Sequence, residues 1–129
     1  MKLNFLILKD KYAIYRFEPD SDIPLWVKDS GFYSVTKTND ELSIVCKQFD
    51  SISKRAKVNK DWKVLKVQGT LDFSLVGIIA DISGILEKIN VSVFTISTYD
   101  TDYILVKNQD LDKSIFSLKA NGHEITYDN

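Results

Sequence analysis

From Ser74 to Asn90 the apolar residues fall at Leu75, Ile78, Ile79, Ile82, Ile85, Leu86 and Ile89. That is the i, i+3, i+4, i+7 spacing of a helix with one buried face. Ser74 is a candidate N-cap and Asn90 fits the C′ position. A strand-like run, WKVLKVQG (62–69), precedes the helix, and the β-branched runs VSVFTIST (91–98) and YILVK (103–107) follow it. DLDKSIFSLKANG (110–122) repeats helix logic, with Leu111, Ile115 and Leu118 on one face, and EITY (124–127) is a last strand. The order β-α-β-β-α-β demands a sheet with helices packed on it, an α+β fold.

The first half is built from similar parts. LNFLIL (3–8) and YAIYRF (12–17) read as strands, with Asp10 and Lys11 between them suggesting a hairpin. EPDSDIPLWVKDSG (18–31) reads as a short helix, with Ser21 or Asp22 to cap it, Pro24 in its first turn and Gly31 to end it. YSVTK and LSIVCK form a second hairpin around Asn39 and Asp40, and the basic stretch FDSISKRAKVNKD (49–61) reads as a linker or short helix. VTKTNDELSIVCK (35–47) lies against ISTYDTDYILVK (96–107) with one gap, about 60 residues apart. The expectation is a tandem duplication, with an N-terminal unit over 1–60 and a C-terminal unit over 61–129.

Bulk properties narrow the function. The 129 residues are 44% hydrophobic, with a formal net charge of -1. This is a folding chain without the basic footprint of a nucleic-acid binder. Cys46 is the one cysteine and cannot form an internal disulfide. MKLNFLILKD has too short an apolar run for a signal peptide and reads as a strand. No run reaches the roughly 20 apolar residues that span a bilayer. The expected location is the cytoplasm.

Asp100 and Asp102, in STYDTDYILV (97–106), are the residues most in need of a reason. Metal ligation is weakly supported: hard cations want several oxygen ligands, and His123, the one histidine, reads as a surface residue or a partner for a helix C-terminus. Acid–base catalysis needs two carboxylates about 5 Å or more apart across a substrate, which a local D-x-D does not provide. There is no nucleophile elbow and no phosphate-binding G-x-x-x-x-G-K. We therefore expect no enzymatic activity, no cofactor and no metal. Asp100 suits a hairpin connection. Asp102 abuts an apolar strand, where it either pairs with a surface cation or faces a ligand.

FSLVGIIADISGILEKINVSVFTISTYDTDYILV resembles an ACT domain, through Gly77, Ile89, Asn90, Val93, Ile96, Ser97 and Thr98. ELSIVC (41–46), LDFSLVGI (71–78) and STYDTDYILVK (97–107) are similar to small bacterial tandem-ACT proteins. These in turn resemble the ACT repeats of cytosolic arginine sensors and aspartate kinase regulatory domains. The resemblance implies two ferredoxin-like ACT units, antiparallel sheets with helices on one face, and a regulatory module that binds a small ligand such as an amino acid. It also implies a site at the helix mouth and hairpin, from Ser74, Val76, Gly77, Ile78, Thr98, Tyr99, Asp100 and Asp102. A helix mouth suits a carboxylate and Asp102 an ammonium. Gly77 either lets the ligand approach the backbone or lets the helix pack closely on the sheet. The first half has no counterpart of SLVGI, and Pro24 removes an N–H donor. It is expected to supply a wall or a contact across a homodimer. The competing reading is an assembly domain with a vestigial pocket.

Overall fold

The structure, a computed structural model, describes residues 2–49, 55–68 and 76–128. The chain forms two compact units: Met1–Lys9 with Trp62–Asn129, and Asp10–Asp61. The first nine residues belong with the C-terminal unit. The 10–61 unit is thus an insertion into the other.

The C-terminal unit contains β1 (Asn4–Ile7), the last part of β5 (Lys57–Val67), α1 (Ile78–Glu87), β6 (Val93–Ser97), β7 (Asp102–Lys107), α2 (Leu111–Ala120) and β8 (Glu124–Tyr127). Its strands lie in the order β6-β7-β5-β1-β8. β1 does not form the expected hairpin with the strand after it. It pairs antiparallel with β5, Phe5 opposite Val67, and parallel with β8, Phe5 opposite Ile125. The sheet is therefore mixed and not wholly antiparallel. Alternate residues of its central strands, Phe5, Ile7, Leu65, Val67, Ile104 and Val106, form one face of the core. Ile82, Ile85 and Leu86 of α1 and Ile115 and Leu118 of α2 cover that face.

Both helices end in the same way. Asn90 takes φ 62, with Val91 N–H donating to the Leu86 carbonyl and Asn90 N–H to that of Glu87. Gly122 takes φ 91, with His123 N–H donating to the Leu118 carbonyl and Gly122 N–H to that of Lys119. These are paired left-handed helix stops of the Schellman type. The second one delivers His123 into the core, where it is 4% exposed. Its Nδ1 accepts from Leu3 N–H at 3.0 Å, and its ring meets the Phe5 edge with centroids 5.6 Å apart. The histidine expected at the surface instead fastens the entry of β1.

The inserted unit carries β2 (Tyr12–Phe17), a 3-10 turn at Leu25–Asp29, β3 (Ser34–Lys37), β4 (Leu42–Lys47) and the first residues of β5. The strand order is β3-β4-β2-β5. Among its described residues there is no α-helix, so the full β-α-β-β-α-β pattern belongs to the C-terminal unit. Pro24 sets the entry to the 3-10 turn with φ -60. Because so short a turn offers little surface, Trp26 does the covering: its ring meets Tyr15 and Phe49, each at 5.2 Å between centroids. The basic stretch read as a linker is a strand from Lys57 onward; residues 50–54 lie outside the described residues.

Two outcomes are expected. A fragment of residues 61–129 lacks β1 and leaves β8 without its strand partner. It should show no native near-ultraviolet dichroism, whereas the same fragment with residues 1–9 joined through a short linker should recover it. Cys46 is fully buried, and burial pushes its thiol from 9.0 up to about 12. The unfolded thiol ionises first, so this contribution to stability is whole below pH 9 and is lost as pH rises towards about 12. Urea unfolding across that range should show a decline that is flatter in Cys46→Ala.

Candidate functional site

The candidate residues cluster by topology at one end of the C-terminal sheet. β5 ends there at Val67, α1 starts there, and the β6–β7 hairpin turns there. Ser74, expected to cap the helix, lies outside the described residues. α1 opens at Ile78, with Gly77 in the N-cap position at φ 80, ψ 7. The first helical bond runs from Asp81 N–H to the Gly77 carbonyl at 2.8 Å. The amides that precede Asp81 in the first turn have no acceptor within the helix. A Cβ built on Gly77 meets nothing within 4 Å, so glycine is required by the positive φ and not by close packing against the sheet. Val76 stands out at 88% exposed, while the Ile78 side chain is buried and offers only its backbone.

The hairpin tip is a closed hydrogen-bonded turn. Thr98 N–H donates to the Thr101 carbonyl at 2.8 Å, and Thr101 N–H donates to Thr98 Oγ1 at 3.2 Å. Tyr99 and Asp100 fill the tip, Tyr99 at 81% exposed. Asp100 therefore sits where a hairpin connection needs a turn residue. Thr101, which sequence reasoning passed over, is 5% exposed and donates its Oγ1 proton to the Val67 carbonyl at 2.7 Å. This bond ties the hairpin tip to the end of β5.

The inserted unit contains the same turn. Thr38 N–H donates to the Glu41 carbonyl at 2.9 Å, and Glu41 N–H donates to Thr38 Oγ1 at 3.1 Å. Lys37 faces Leu42 there as Ser97 faces Asp102 here. The two hairpins thus correspond at a constant offset of 60 residues, without the gap expected from the sequence alignment. The threonine opening each turn, Thr38 or Thr98, was the signal that could have set this register.

That register makes Asp102 informative. Its counterpart Leu42 is 2% exposed, in the core of its unit. Asp102 is half-buried at the head of the row that continues through Ile104 and Val106 into the core. One carboxylate oxygen accepts from Ser97 Oγ at 2.6 Å, which fixes the side chain across the strands. No cation pairs with it among the described residues. No cluster of three or more His, Cys, Asp or Glu is placed to hold a metal among the described residues. No described helix is long and apolar enough to cross a membrane.

Residues 57–120, which hold most of this β-α-β-β-α-β unit, match the ACT domain family. Residues 10–55 match a second family, described as an N-terminal domain. The chain belongs to the same family as Atu0741 from Agobacterium tumefaciens. The two are 34% identical over 100% of this chain and 96% of that one, with a TM-score of 0.90. The fold recurs in the aspartate kinase of Clostridium acetobutylicum, described as an allosteric enzyme. That protein is 16% identical, with 87% of this chain and 33% of that chain covered and a TM-score of 0.63. It recurs also in a putative C-terminal regulatory domain of aspartate kinase from Porphyromonas gingivalis, again 16% identical, over 87% and 91% of the two chains at a TM-score of 0.55. No curated protein matches the chain.

Gly77→Ala tests the backbone argument. With open space around the new methyl, only left-handed strain remains, about 1–2 kcal/mol. Gly77→Asn should recover part of that loss in urea unfolding, since asparagine tolerates the conformation. Equal losses in the two variants would point to a packing cost instead.

Proposed function

We propose that the chain is a non-enzymatic regulatory module that binds an amino acid at the mouth of α1 and the β6–β7 hairpin. The observation that carries the reading is Asp102: a half-buried carboxylate, fixed by Ser97, where the duplicated hairpin places a core leucine. Leaving a carboxylate partly desolvated without a cation costs free energy, and a ligand ammonium would offset that cost. The first-turn amides of α1 and the adjoining positive helix end would take the ligand carboxylate. Gly77 leaves the approach open, Val76 and Tyr99 stand at its rim, and Thr98 and Asp100 offer backbone carbonyls. The name of the Clostridium acetobutylicum relative, an allosteric enzyme, supports regulation as the purpose. The signal would pass to a partner protein through a change in ACT packing, which requires two states with different ligand affinities.

Exposed Phe116 on α2 (75%) and Tyr127 on β8 favour a second reading, a module for assembly, including a homodimer. Thermal unfolding against the twenty amino acids and a few nucleotides separates the two. A ligand at 100 times its Kd adds about 2.7 kcal/mol, a shift of roughly 5 °C for a domain of this size. One selective shift, lost in Asp102→Ala, is the expected result. No shift with any compound, together with a dimer by sedimentation that persists in Asp102→Ala, would replace sensing with assembly.

A further inference from the structure

The side chain of His123 is 1% exposed, and its two ring nitrogens face different elements. Nδ1 accepts from Leu3 N–H at 3.0 Å. An amide only donates, so Nδ1 carries a lone pair and the proton of the neutral ring sits on Nε2. Nε2 faces Asp81 Oδ2 of α1 at 3.7 Å, too long for a direct hydrogen bond. The Leu3 carbonyl accepts from Glu124 N–H at 2.9 Å. The ladder between β1 and β8 begins one residue later, at Asn4 opposite Glu124. The imidazole therefore takes the place of the carbonyl that a longer strand would present to Leu3.

That substitution makes the first rung sensitive to protons. Histidine is the side chain whose charge changes between about pH 5 and 8. An incoming proton has one place to bind, Nδ1. Once there it points at another N–H, and the bond from Leu3 becomes a contact between two donors. A buried imidazolium also needs an anion. Of the charged groups on the elements around the ring, Asp81 on α1 is the one within ion-pair distance among the described residues, and its half-exposed carboxylate is free to follow the ring. Glu124 on β8 is already paired with Lys2 at 2.7 Å, and Lys119 in the last turn of α2 is exposed. β1 presents Leu3 and Phe5 to the ring, neither of them charged. Protonation thus trades a bond to β1 for an ion pair with α1.

We propose that His123 is a pH-sensitive latch on the start of β1. Neutral, it holds Leu3 at the end of α2; protonated, it turns to Asp81 and frees the residues ahead of β1. The latch stands independently of any ligand at the α1 site. Solvent-exchange NMR on the full chain from about pH 8 to about pH 5 tests it, with the ring nitrogen shifts reporting where the proton sits. Protection of the Leu3 amide, corrected for intrinsic exchange, should fall about tenfold as Nδ1 takes its proton, the size of one lost hydrogen bond. The amides of Ile82 and Leu86 in α1 should keep their protection, which separates unlatching from global unfolding. His123→Asn offers Leu3 an uncharged carbonyl acceptor, so its Leu3 protection should not vary with pH. Leu3 protection that persists after Nδ1 is protonated would overturn the latch. A ring that stays neutral throughout the titration would do the same, as would an equal fall in His123→Asn.

Discussion

The pairing of β1 between β5 and β8 is the constraint on which the C-terminal unit rests. Four residues from the start of the chain supply ladder partners to strands that begin 50 and 117 positions after β1 ends. Without them, both neighbours would present unpaired backbone to water or to another chain. The cost of joining such distant segments rises only with the logarithm of the intervening length, so a complete unit can be inserted between β1 and the second part of β5. His123 is the fastening. Its backbone N–H closes α2, and its ring accepts from Leu3 at the point where β1 begins. The helix stop and the strand docking are one structural event.

The same dependence reaches the candidate site. β5 pairs with β1 through Val67, and the carbonyl of Val67 receives the Thr101 hydroxyl. The hairpin tip is therefore positioned by the strand that β1 stabilises, and not by its own turn alone. Within the hairpin, Thr98 and Thr101 fix the backbone, and Ser97 fixes the carboxylate of Asp102. The arrangement holds the Asp102 carboxylate in one orientation, so a cation bound there would cost less ordering entropy.

Local patterns in the sequence were legible because their causes are local. The apolar stripe of α1 is buried as its spacing demands, and both hairpins turn where their polar residues fall. Strand partners were not legible. Alternation marks LNFLIL as a strand, but the nearby Asp10 and Lys11 suit a hairpin as well as a departure into an inserted unit. Ser74, outside the described residues, offers a cap by composition, whereas Gly77 sets the start of α1 by conformation. Gly77 and Asp102 were visible as unusual residue types in their contexts. Thr101 and His123 were not, since a 2.7 Å bond to Val67 and a 3.0 Å bond from Leu3 span 34 and 120 residues.

The correspondence of the two hairpins shows what Asp102 adds at this edge. The two hairpins keep one turn geometry and one register, so the fold asks the same of Leu42 and Asp102. Leucine meets that demand at no polar cost, and its unit closes with a buried residue there. Aspartate meets it only with the help of Ser97, whose counterpart is the exposed Lys37. One backbone geometry thus carries a packing leucine in one unit and a charged, oriented acceptor in the other. At fixed backbone geometry the two hairpins thus differ in polar surface: a buried leucine closes one, and an oriented carboxylate stands on the other.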